Sequence, residues 1–169
     1  IIAHYIYKLS GLPKNQVIGT GTAIDSARLQ NMIAQTVNVD PRSVHAYSMG
    51  EHGDSQMVPW STVTIAGKPF YDVIADNKEL VGDVDLDELV YRTTQEGWEI
   101  FNRKGTTYYG IATACVGVIK AILNDENRII PVSTLLEGEY GERDVYAGVP
   151  TVLNRSGAYD VLEIHMTPG

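Results

Sequence analysis

A histidine lies at the centre of the pentapeptide GEHGD, residues 50–54. The stretch is too polar for a hydrophobic core, and its glycines favour a turn over an interior helix or strand. An imidazole has an ordinary pKa of about 6.5, so His52 could transfer a proton at neutral pH or bind a metal ion. The pattern predicts a turn that holds His52 in place for one of these two tasks.

A carboxylate and a guanidinium lie three residues apart in DSARLQNMIAQTVNV, which begins at Asp25. Apolar residues recur there at helical spacing, which predicts an amphipathic helix with Asp25 and Arg28 as surface neighbours. An acid–base histidine needs a carboxylate to stabilise its charged form, and an arginine can bind a carboxylate through two parallel hydrogen bonds. The alternative is an exposed intrahelical ion pair, which contributes only about 0.3–0.5 kcal/mol. The residues by themselves leave both interpretations open.

Two other kinds of site are disfavoured by the residues present. A metal centre would need further ligands at workable spacing, but the other histidines are scattered at His4, His45 and His165. The single cysteine, Cys115, excludes a multi-cysteine metal site and an intrachain disulfide framework. A serine follows His52 by three residues, but no G-x-S-x-G motif of a serine hydrolase occurs.

The overall composition is that of an ordinary globular domain. The 169 residues are 44% hydrophobic and 20% charged, which argues against disorder. A formal net charge of −8 disfavours a nucleic-acid partner. No uninterrupted apolar stretch of about 18 residues and no signal-peptide pattern occurs, so we expect a cytoplasmic protein without a membrane span. Both ends look cut, and we expect a fragment of a longer protein.

Helical spacing of apolar residues recurs in the first two thirds of the chain. A first helix is expected to end near Ser10, where Gly11 and Pro13 follow. A long amphipathic helix is expected over 85–104, although Gly97 weakens it. The next segment, 106–123, is apolar nearly all round and is therefore expected to be the buried central helix.

Strand patterns are short at first and dominate the last third. SVHAYSM and STVTIAGKPF each predict a short strand, the second with a glycine turn. From residue 127 onward, β-branched residues are broken by Gly, Pro, Asn and Asp, which favours antiparallel hairpins over parallel strands with helical crossovers. The sequence therefore predicts a single α+β domain over 1–169.

Several ordered motifs resemble one enzyme family. GTAIDSAR, VHAYSMGEHGDS followed by VPWS, RKGTTYYGIA, AILNDENRIIPVS, GEYGERDVYAGVP and LNRSG occur in this order. They are similar to the L-2-hydroxyacid dehydrogenases of the lactate/malate dehydrogenase family, the bacterial L-lactate dehydrogenases above all. The resemblance covers essentially the whole chain. It implies the C-terminal substrate-binding domain of that family, with helices packed on antiparallel strands and the Rossmann domain absent.

The resemblance also implies roles for individual residues. His52 matches the histidine that donates a proton when pyruvate is reduced and accepts one when L-lactate is oxidised. Asp25 matches the carboxylate that pairs with this imidazole, and Arg28 matches the arginine that binds the substrate carboxylate. Thr107 matches a threonine of the substrate pocket, and Ile111 matches an isoleucine packed on the nicotinamide ring. On sequence alone, a helix N-cap threonine and a core isoleucine remain equally good interpretations of the last two.

The family's other properties enter as expectations of the same kind. NAD is the implied cofactor, pyruvate and L-lactate the implied substrates, and a homotetramer the implied assembly. No G-x-G-x-x-G fingerprint occurs, since GTGTAI at 19–24 lacks the third glycine. The family's dinucleotide-binding half, its mobile specificity loop and its C-terminal helix lie outside this chain, so we expect the isolated fragment to be inactive. Another 2-hydroxy acid, such as 2-hydroxyisocaproate or malate, and a non-enzymatic oligomer-forming domain remain alternatives.

One histidine matches part of an effector site of the family. Family members activated by fructose 1,6-bisphosphate resemble one another in an arginine two positions after the substrate arginine and a histidine before the GEHGD turn. His45 matches that histidine, but Gln30 replaces the arginine. Because a phosphate site loses a charge-assisted contact with each missing cation, we expect a weak response to this effector or none.

Overall fold

The computed structural model describes residues 1–166, and it is an α+β fold of six helices and six strands within that range. The helices are α1 (Ile2–Ser10), α2 (Ala23–Val37), α3 (Phe70–Asp76), α4 (Lys78–Val81), α5 (Leu86–Lys104) and α6 (Tyr108–Leu123). The strands are β1 (Val44–His45), β2 (Thr64–Ile65), β3 (Lys68–Pro69), β4 (Arg128–Glu137), β5 (Arg143–Asn154) and β6 (Gly157–Val161). Every strand pairing among these elements is antiparallel, as the sequence predicts.

Helix boundaries follow the local signals of the sequence. Asp85 caps α5, because its carboxylate accepts hydrogen bonds from the backbone N–H groups of Asp87 and Glu88. Gly105 ends the same helix in the left-handed conformation, and Gly11 ends α1 in the same way. The predicted helix ends near Ser10 and Lys104 are therefore confirmed.

Two three-stranded sheets divide the strands. The strands β4, β5 and β6 form a meander in chain order, while β1, β2 and β3 form a much smaller sheet. The predicted strand SVHAYSM is mostly irregular, because ladder pairing is restricted to Val44 and His45. The predicted glycine turn is confirmed: Ala66 and Gly67 both have positive φ and join β2 to β3.

The main core forms around α2. Leu29, Ile33 and Ala34 are each at most 1% exposed and pack with residues of β1, β2, α3 and α5. A second cluster lies between the C-terminal half of α6 and the larger sheet, where Val132 and Leu153 are fully buried. Since α2 also carries Asp25 and Arg28, a helix that packs deep in the main core positions these two charged residues.

The glycines of GTGTAI allow this segment to pack closely against β4. Gly19 pairs with Ser133 of β4, and a Cβ at Gly19 would lie 3.0 Å from the Cβ of Ser133. Gly21 has a φ of +38°, and a Cβ there would lie 3.1 Å from the same side chain. The close approach of the backbone to β4 therefore explains both glycines without a phosphate.

The expected burial of α6 is wrong. Among its residues, those below 9% exposure are Val118 and Ala121, whereas Tyr109 is 70% and Val116 62% exposed. One stripe of the helix packs on the larger sheet, and the rest of its apolar surface faces outward. Trp98 of α5 is likewise exposed, so the amphipathic pattern of that helix overstates its burial.

Candidate active site

The turn that carries His52 is a closed loop. Met49 and Met57 exchange two backbone hydrogen bonds at its base, and Gly50 exchanges two more with Gly148 of β5. Gly50 has a φ of +87°, a conformation that favours glycine. The loop therefore leaves the packed structure and returns to it at neighbouring points, with His52 between them.

His52 and Asp25 are in direct contact although they are distant in sequence. His52 Nδ1 lies 2.5 Å from Asp25 Oδ2. The side chain of His52 is 55% exposed, whereas that of Asp25 is 4% exposed. The buried carboxylate therefore accepts the Nδ1–H hydrogen bond. Nε2 is the nitrogen left to exchange a proton with a bound molecule.

Asp25 lies in the first turn of α2, where the helix dipole favours a negative charge. Its second oxygen, Oδ1, accepts a hydrogen bond from Arg28 at 3.3 Å. The side chain of Arg28 is only 12% exposed, so the two residues form a buried pair and not the exposed surface pair that the spacing alone allowed. Both oxygens of the buried carboxylate are thus paired with a basic side chain.

The contact with Asp25 raises the pKa of His52 above its ordinary value. The hydrogen bond to Asp25 is the largest cause, partial burial acts against it, and the charge of Asp25 adds to the rise. The positive charge of Arg28 lowers the pKa of His52, and the negative charge of Glu51 raises it. The balance favours the protonated imidazolium, the form that can donate a proton.

The guanidinium of Arg28 lies against α5 at Gly97. A Cβ at Gly97 would lie 3.2 Å from Nη1 and 3.4 Å from Nη2 of Arg28, which is closer than most real contacts. The glycine in mid-helix, unfavourable by propensity, is therefore explained by the arginine packed on it. Within residues 1–166, Arg28 makes one side-chain hydrogen bond, to Asp25, so most of its fork of N–H groups remains available to a bound anion.

Thr107 and Ile111 lie one helical turn apart at the start of α6. Thr107 occupies the N-cap position, but its side chain makes no capping hydrogen bond. Ile111 is half-buried and lies outside the clusters of buried core residues. Neither the cap nor the core interpretation accounts fully for these two residues.

A cleft of about 900 Å³ brings some of the remaining residues together. Arg28, Gln30, His45 and Thr107 are among the residues that line it, and His52 and Ile111 are not. His45 is exposed on β1, and Gln30 donates a hydrogen bond from Nε2 to the carbonyl of Ala46 at 3.0 Å. The structure thus brings together His52, Asp25 and Arg28, and it places Thr107 with Arg28 in the lining of this cleft.

The sequence did not single out the polar residues beneath the loop. Ser26, Ser48 and Gln56 are each at most 8% exposed and are joined by hydrogen bonds. Ser48 and Gln56 flank the GEHGD turn, but nothing in the sequence signals that their side chains bond to each other.

Residues 1–166 contain neither a cluster of metal-binding side chains nor a helix that could span a membrane. In that range, no group of three or more His, Cys, Asp or Glu side chains is arranged to hold a metal ion. Nor does any of its helices combine the length and the apolar character that a bilayer crossing requires.

Comparison with known proteins identifies the family. Residues 22–168 match the family described as lactate/malate dehydrogenase, alpha/beta C-terminal domain. L-lactate dehydrogenase 3 of Bacillus cereus is 52% identical over 167 residues, which are 99% of this chain and 53% of that protein. L-lactate dehydrogenase 1 of Bifidobacterium longum is 48% identical over the same length and shares of the two chains. The chain therefore spans about half the length of these curated relatives.

Solved structures agree with the sequence matches. The minor L-lactate dehydrogenase from Enterococcus mundtii, in its ligands-bound form, matches with a TM-score of 0.92 at 41% identity, over 99% of this chain and 53% of that one. A lactate dehydrogenase from a Medee basin deep-sea metagenome library matches with a TM-score of 0.93 at 42% identity, over 98% and 53%. The chain belongs to the lactate/malate dehydrogenase family, of which it represents the α/β C-terminal domain.

Proposed function

We propose that this chain is the catalytic half of an NAD-dependent L-lactate dehydrogenase, which reduces pyruvate to L-lactate reversibly. The observation that carries the proposal is the 2.5 Å contact between Asp25 and the half-exposed His52, with Arg28 on the other oxygen of the same carboxylate. Relatives of about 50% identity are named L-lactate dehydrogenases, which supports the same reaction.

His52 is the proton donor in this proposal. In the direction of pyruvate reduction, Nε2 gives its proton to the oxygen of the substrate carbonyl as that carbonyl becomes a hydroxyl. In the reverse direction, the neutral imidazole takes the hydroxyl proton of L-lactate. Asp25 stabilises the imidazolium and fixes the tautomer in both directions, since its carboxylate accepts the Nδ1–H hydrogen bond.

Arg28 binds the substrate carboxylate. Its guanidinium is held between Asp25 and the backbone of α5 at Gly97, so its orientation is fixed before a substrate arrives. Two parallel N–H groups of the fork can then donate to the two carboxylate oxygens, which fixes the position of the neighbouring carbonyl carbon. Thr107 lines the pocket beside Arg28.

NAD is the implied cofactor, and its reduced form, NADH, would supply the hydride from C4 of the nicotinamide in pyruvate reduction. This chain contributes one candidate contact: Ile111, whose half-buried apolar side chain follows Thr107 by one turn of α6. An apolar contact suits one face of the nicotinamide ring and excludes water there. The other contacts of the dinucleotide would come from a separate dinucleotide-binding domain, and we expect the 169-residue chain to be inactive without one.

Substrate choice is a narrower question within the same proposal. We propose pyruvate and L-lactate as the substrate pair because GEHGDSQMVPWS and TTYYGIA resemble the lactate enzymes. The alternative 2-hydroxy acids are 2-hydroxyisocaproate and malate. Turnover of the complete protein with pyruvate, 2-ketoisocaproate and oxaloacetate separates the three. The proposal extends to a cytoplasmic homotetramer, whose mass in sedimentation would distinguish it from a monomer.

Regulation is expected to be weak at the His45 site. The Gln30 amide that replaces an arginine is neutral and already donates to the Ala46 carbonyl. We expect fructose 1,6-bisphosphate to activate the complete protein little or not at all. Strong activation at neutral pH would contradict this, and Gln30→Arg is the variant expected to increase the response.

The central test compares two histidine variants of the complete protein. His52→Asn is expected to lower NADH-dependent pyruvate reduction by about 10²–10⁴-fold, because the proton donor is lost. His165→Asn is the matched control, since His165 is exposed and remote in sequence from every candidate site residue. Full turnover in His52→Asn, or none in the unsubstituted protein, would overturn the proposal.

A further inference from the structure

A chain of hydrogen bonds runs beneath the His52 loop. The backbone N–H of Ser48 donates to Ser26 Oγ at 2.9 Å, and Ser48 Oγ donates to Gln56 Oε1 at 2.7 Å. Gln56 Nε2 then donates to Thr94 Oγ1 at 2.6 Å, and Thr94 Oγ1 donates to the carbonyl of Val90 at 3.2 Å. The side-chain amide of Gln56 therefore joins two separate parts of the chain: the segment before the loop and helix α5.

The ends of this chain of hydrogen bonds reach the residues of the candidate site. Ser26 follows Asp25 directly in α2. Thr94 precedes Gly97 by three residues on α5, so the two lie on the same side of that helix, one turn apart. Gly97 is the point on which the guanidinium of Arg28 lies. Gln56 thus connects the loop that carries His52 to the helix that supports Arg28.

The two ends of the loop are held differently. At its start, Gly50 is hydrogen-bonded to Gly148 of β5 through two backbone bonds of 2.7 and 2.8 Å. At its end, the return of the chain depends on the Met49–Met57 backbone pair and on the side chain of Gln56. Inside the loop, Ser55 Oγ donates to Glu51, which is a local contact within the loop itself. The Gln56 amide therefore provides a side-chain hydrogen bond between the second half of the loop and α5.

We propose that Gln56 is a positioning residue, whose amide sets the separation between the His52 loop and α5 and thereby holds His52 on Asp25 while Arg28 is held on Gly97. It does not touch the reacting atoms. The inference deepens the proposed function and rests on it for the effect on turnover, but the effect on the imidazole of His52 can be measured without turnover.

Two adjacent threonines of α5 allow a positioning role of the Gln56 amide to be separated from a purely structural one. Thr93 and Thr94 are adjacent on α5, and each hydroxyl donates to the carbonyl four residues earlier. Of the two, Thr94 accepts the hydrogen bond from Gln56. Thr93→Val and Thr94→Val therefore each remove one intrahelical hydrogen bond of the same type, but only Thr94→Val also cuts the chain of hydrogen bonds to the loop.

The experiment measures His52 and turnover in the complete protein. Nuclear magnetic resonance titration of the imidazole is run on the unsubstituted protein, Thr93→Val, Thr94→Val, Thr94→Ser and Gln56→Met. Groups that face His52 are Asp25 and Arg28 from α2 and Glu51 from its own loop, and all of them are unchanged in these variants. A change in the pKa of His52 then reports a change in its distance from them.

The proposal expects a clear division among the variants. Thr94→Val and Gln56→Met should lower the pKa of His52 towards its ordinary value and lower kcat/KM for the 2-oxo acid by about tenfold, which is the worth of one well-placed hydrogen bond. Thr94→Ser keeps the hydroxyl and should restore both quantities. Thr93→Val should lower the melting temperature, because it removes an intrahelical hydrogen bond, but leave the pKa of His52 and kcat/KM unchanged.

Each other result has one meaning. If Thr94→Val and Thr93→Val give the same pKa of His52, Gln56 fills a structural role and the inference is wrong. If the pKa values divide as expected but the unsubstituted protein reduces no 2-oxo acid, the inference on position stands and the proposed function falls. Thr94→Val changes a single hydroxyl, so the test remains decisive if Gln56→Met fails to fold.

Discussion

Helices α2 and α6 have nearly the same length and opposite relations between polarity and burial. Helix α2 carries Asp25, Ser26 and Arg28, yet seven of its 15 residues are buried, with Asp25 and Ser26 among them. Helix α6 is apolar nearly all round, yet two of its 16 residues are buried. Hydropathy therefore does not rank these helices by depth.

The difference lies in what each helix meets. The polar groups of α2 are paired: Asp25 with His52 and Arg28, and Ser26 with the backbone of Ser48. Paired groups lose little when water is removed, so the helix can lie in the core. The outward side of α6 meets no other element among residues 1–166, so its apolar side chains stay exposed. The burial of these two helices therefore follows from the hydrogen-bond and packing partners available to each, and not from hydropathy alone.

Among the substitutions that test this comparison, removal of the carboxylate shared by His52 and Arg28 should have the largest effect on stability. Asp25→Asn takes the negative charge away from a 12% exposed arginine, which should lower the free energy of unfolding by about 3 kcal/mol or more. It should also return the pKa of His52 to its ordinary range or below, because the main cause of the rise is lost. Urea unfolding and titration of the imidazole check both effects. A loss below about 1 kcal/mol would mean that pairing does not explain the burial of α2.

Replacement of the arginine by lysine should have a smaller effect that is specific to the substrate. Arg28→Lys keeps the charge beside Asp25 but cannot donate two parallel hydrogen bonds, so KM for pyruvate in the complete protein should rise by about 10- to 100-fold. The free energy of unfolding should change far less in Arg28→Lys than in Asp25→Asn. Kinetics and unfolding of the same preparation separate the two. An unchanged KM would remove Arg28 from the proposed substrate site.

A pair of equal substitutions tests the exposed side of α6. Val118 is 6% exposed and Val116 is 62% exposed on the same helix. Val118→Thr buries a hydroxyl and should lower the free energy of unfolding by about 1–3 kcal/mol, whereas Val116→Thr should stay within about 0.5 kcal/mol. Denaturant unfolding of the 169-residue chain is the measurement. Equal losses for the two variants would show that the outer side of α6 is packed against something in solution.

The pH dependence of stability should show the smallest effect. The folded protein holds the proton on His52 more tightly than the unfolded chain does, since the pKa of His52 is raised by Asp25. This contribution is fully present below the unfolded pKa of about 6.5 and is lost as the pH rises through the raised pKa. The unfolding free energy should therefore fall with pH in this window, and less so in His52→Asn. Parallel profiles for the two proteins would contradict the contact.

The sequence predicted elements better than it predicted their depth. Helix ends at Ser10 and Lys104 follow from local residues, and the antiparallel meander of the last third follows from its breaks. The burial of α6 was predicted wrongly because a periodicity argument cannot say which sides of an apolar helix find a partner. Tertiary contacts decide that, and they are not local.

The site shows the same division. Spacing alone placed Asp25 beside Arg28, but it could not place either next to His52, which only the resemblance implied. By helix propensity alone Gly97 is unfavourable in α5, and only the structure shows that the guanidinium of Arg28 packs against it. Gln56 gave almost no signal, because its importance comes from two hydrogen-bond partners that lie on separate segments.

The pairing of Gly50 with Gly148 has a consequence for the order of folding. It joins the start of the His52 loop to β5, and the two glycines lie far apart in the sequence. Closing so long a loop is slow and entropically costly, and a chain that emerges from the ribosome from its N-terminus cannot make this contact until β5 has been synthesised. Helix α2 can take shape well before that moment. We therefore expect the backbone of the His52 loop to be anchored at Gly50 only after β5 has been synthesised.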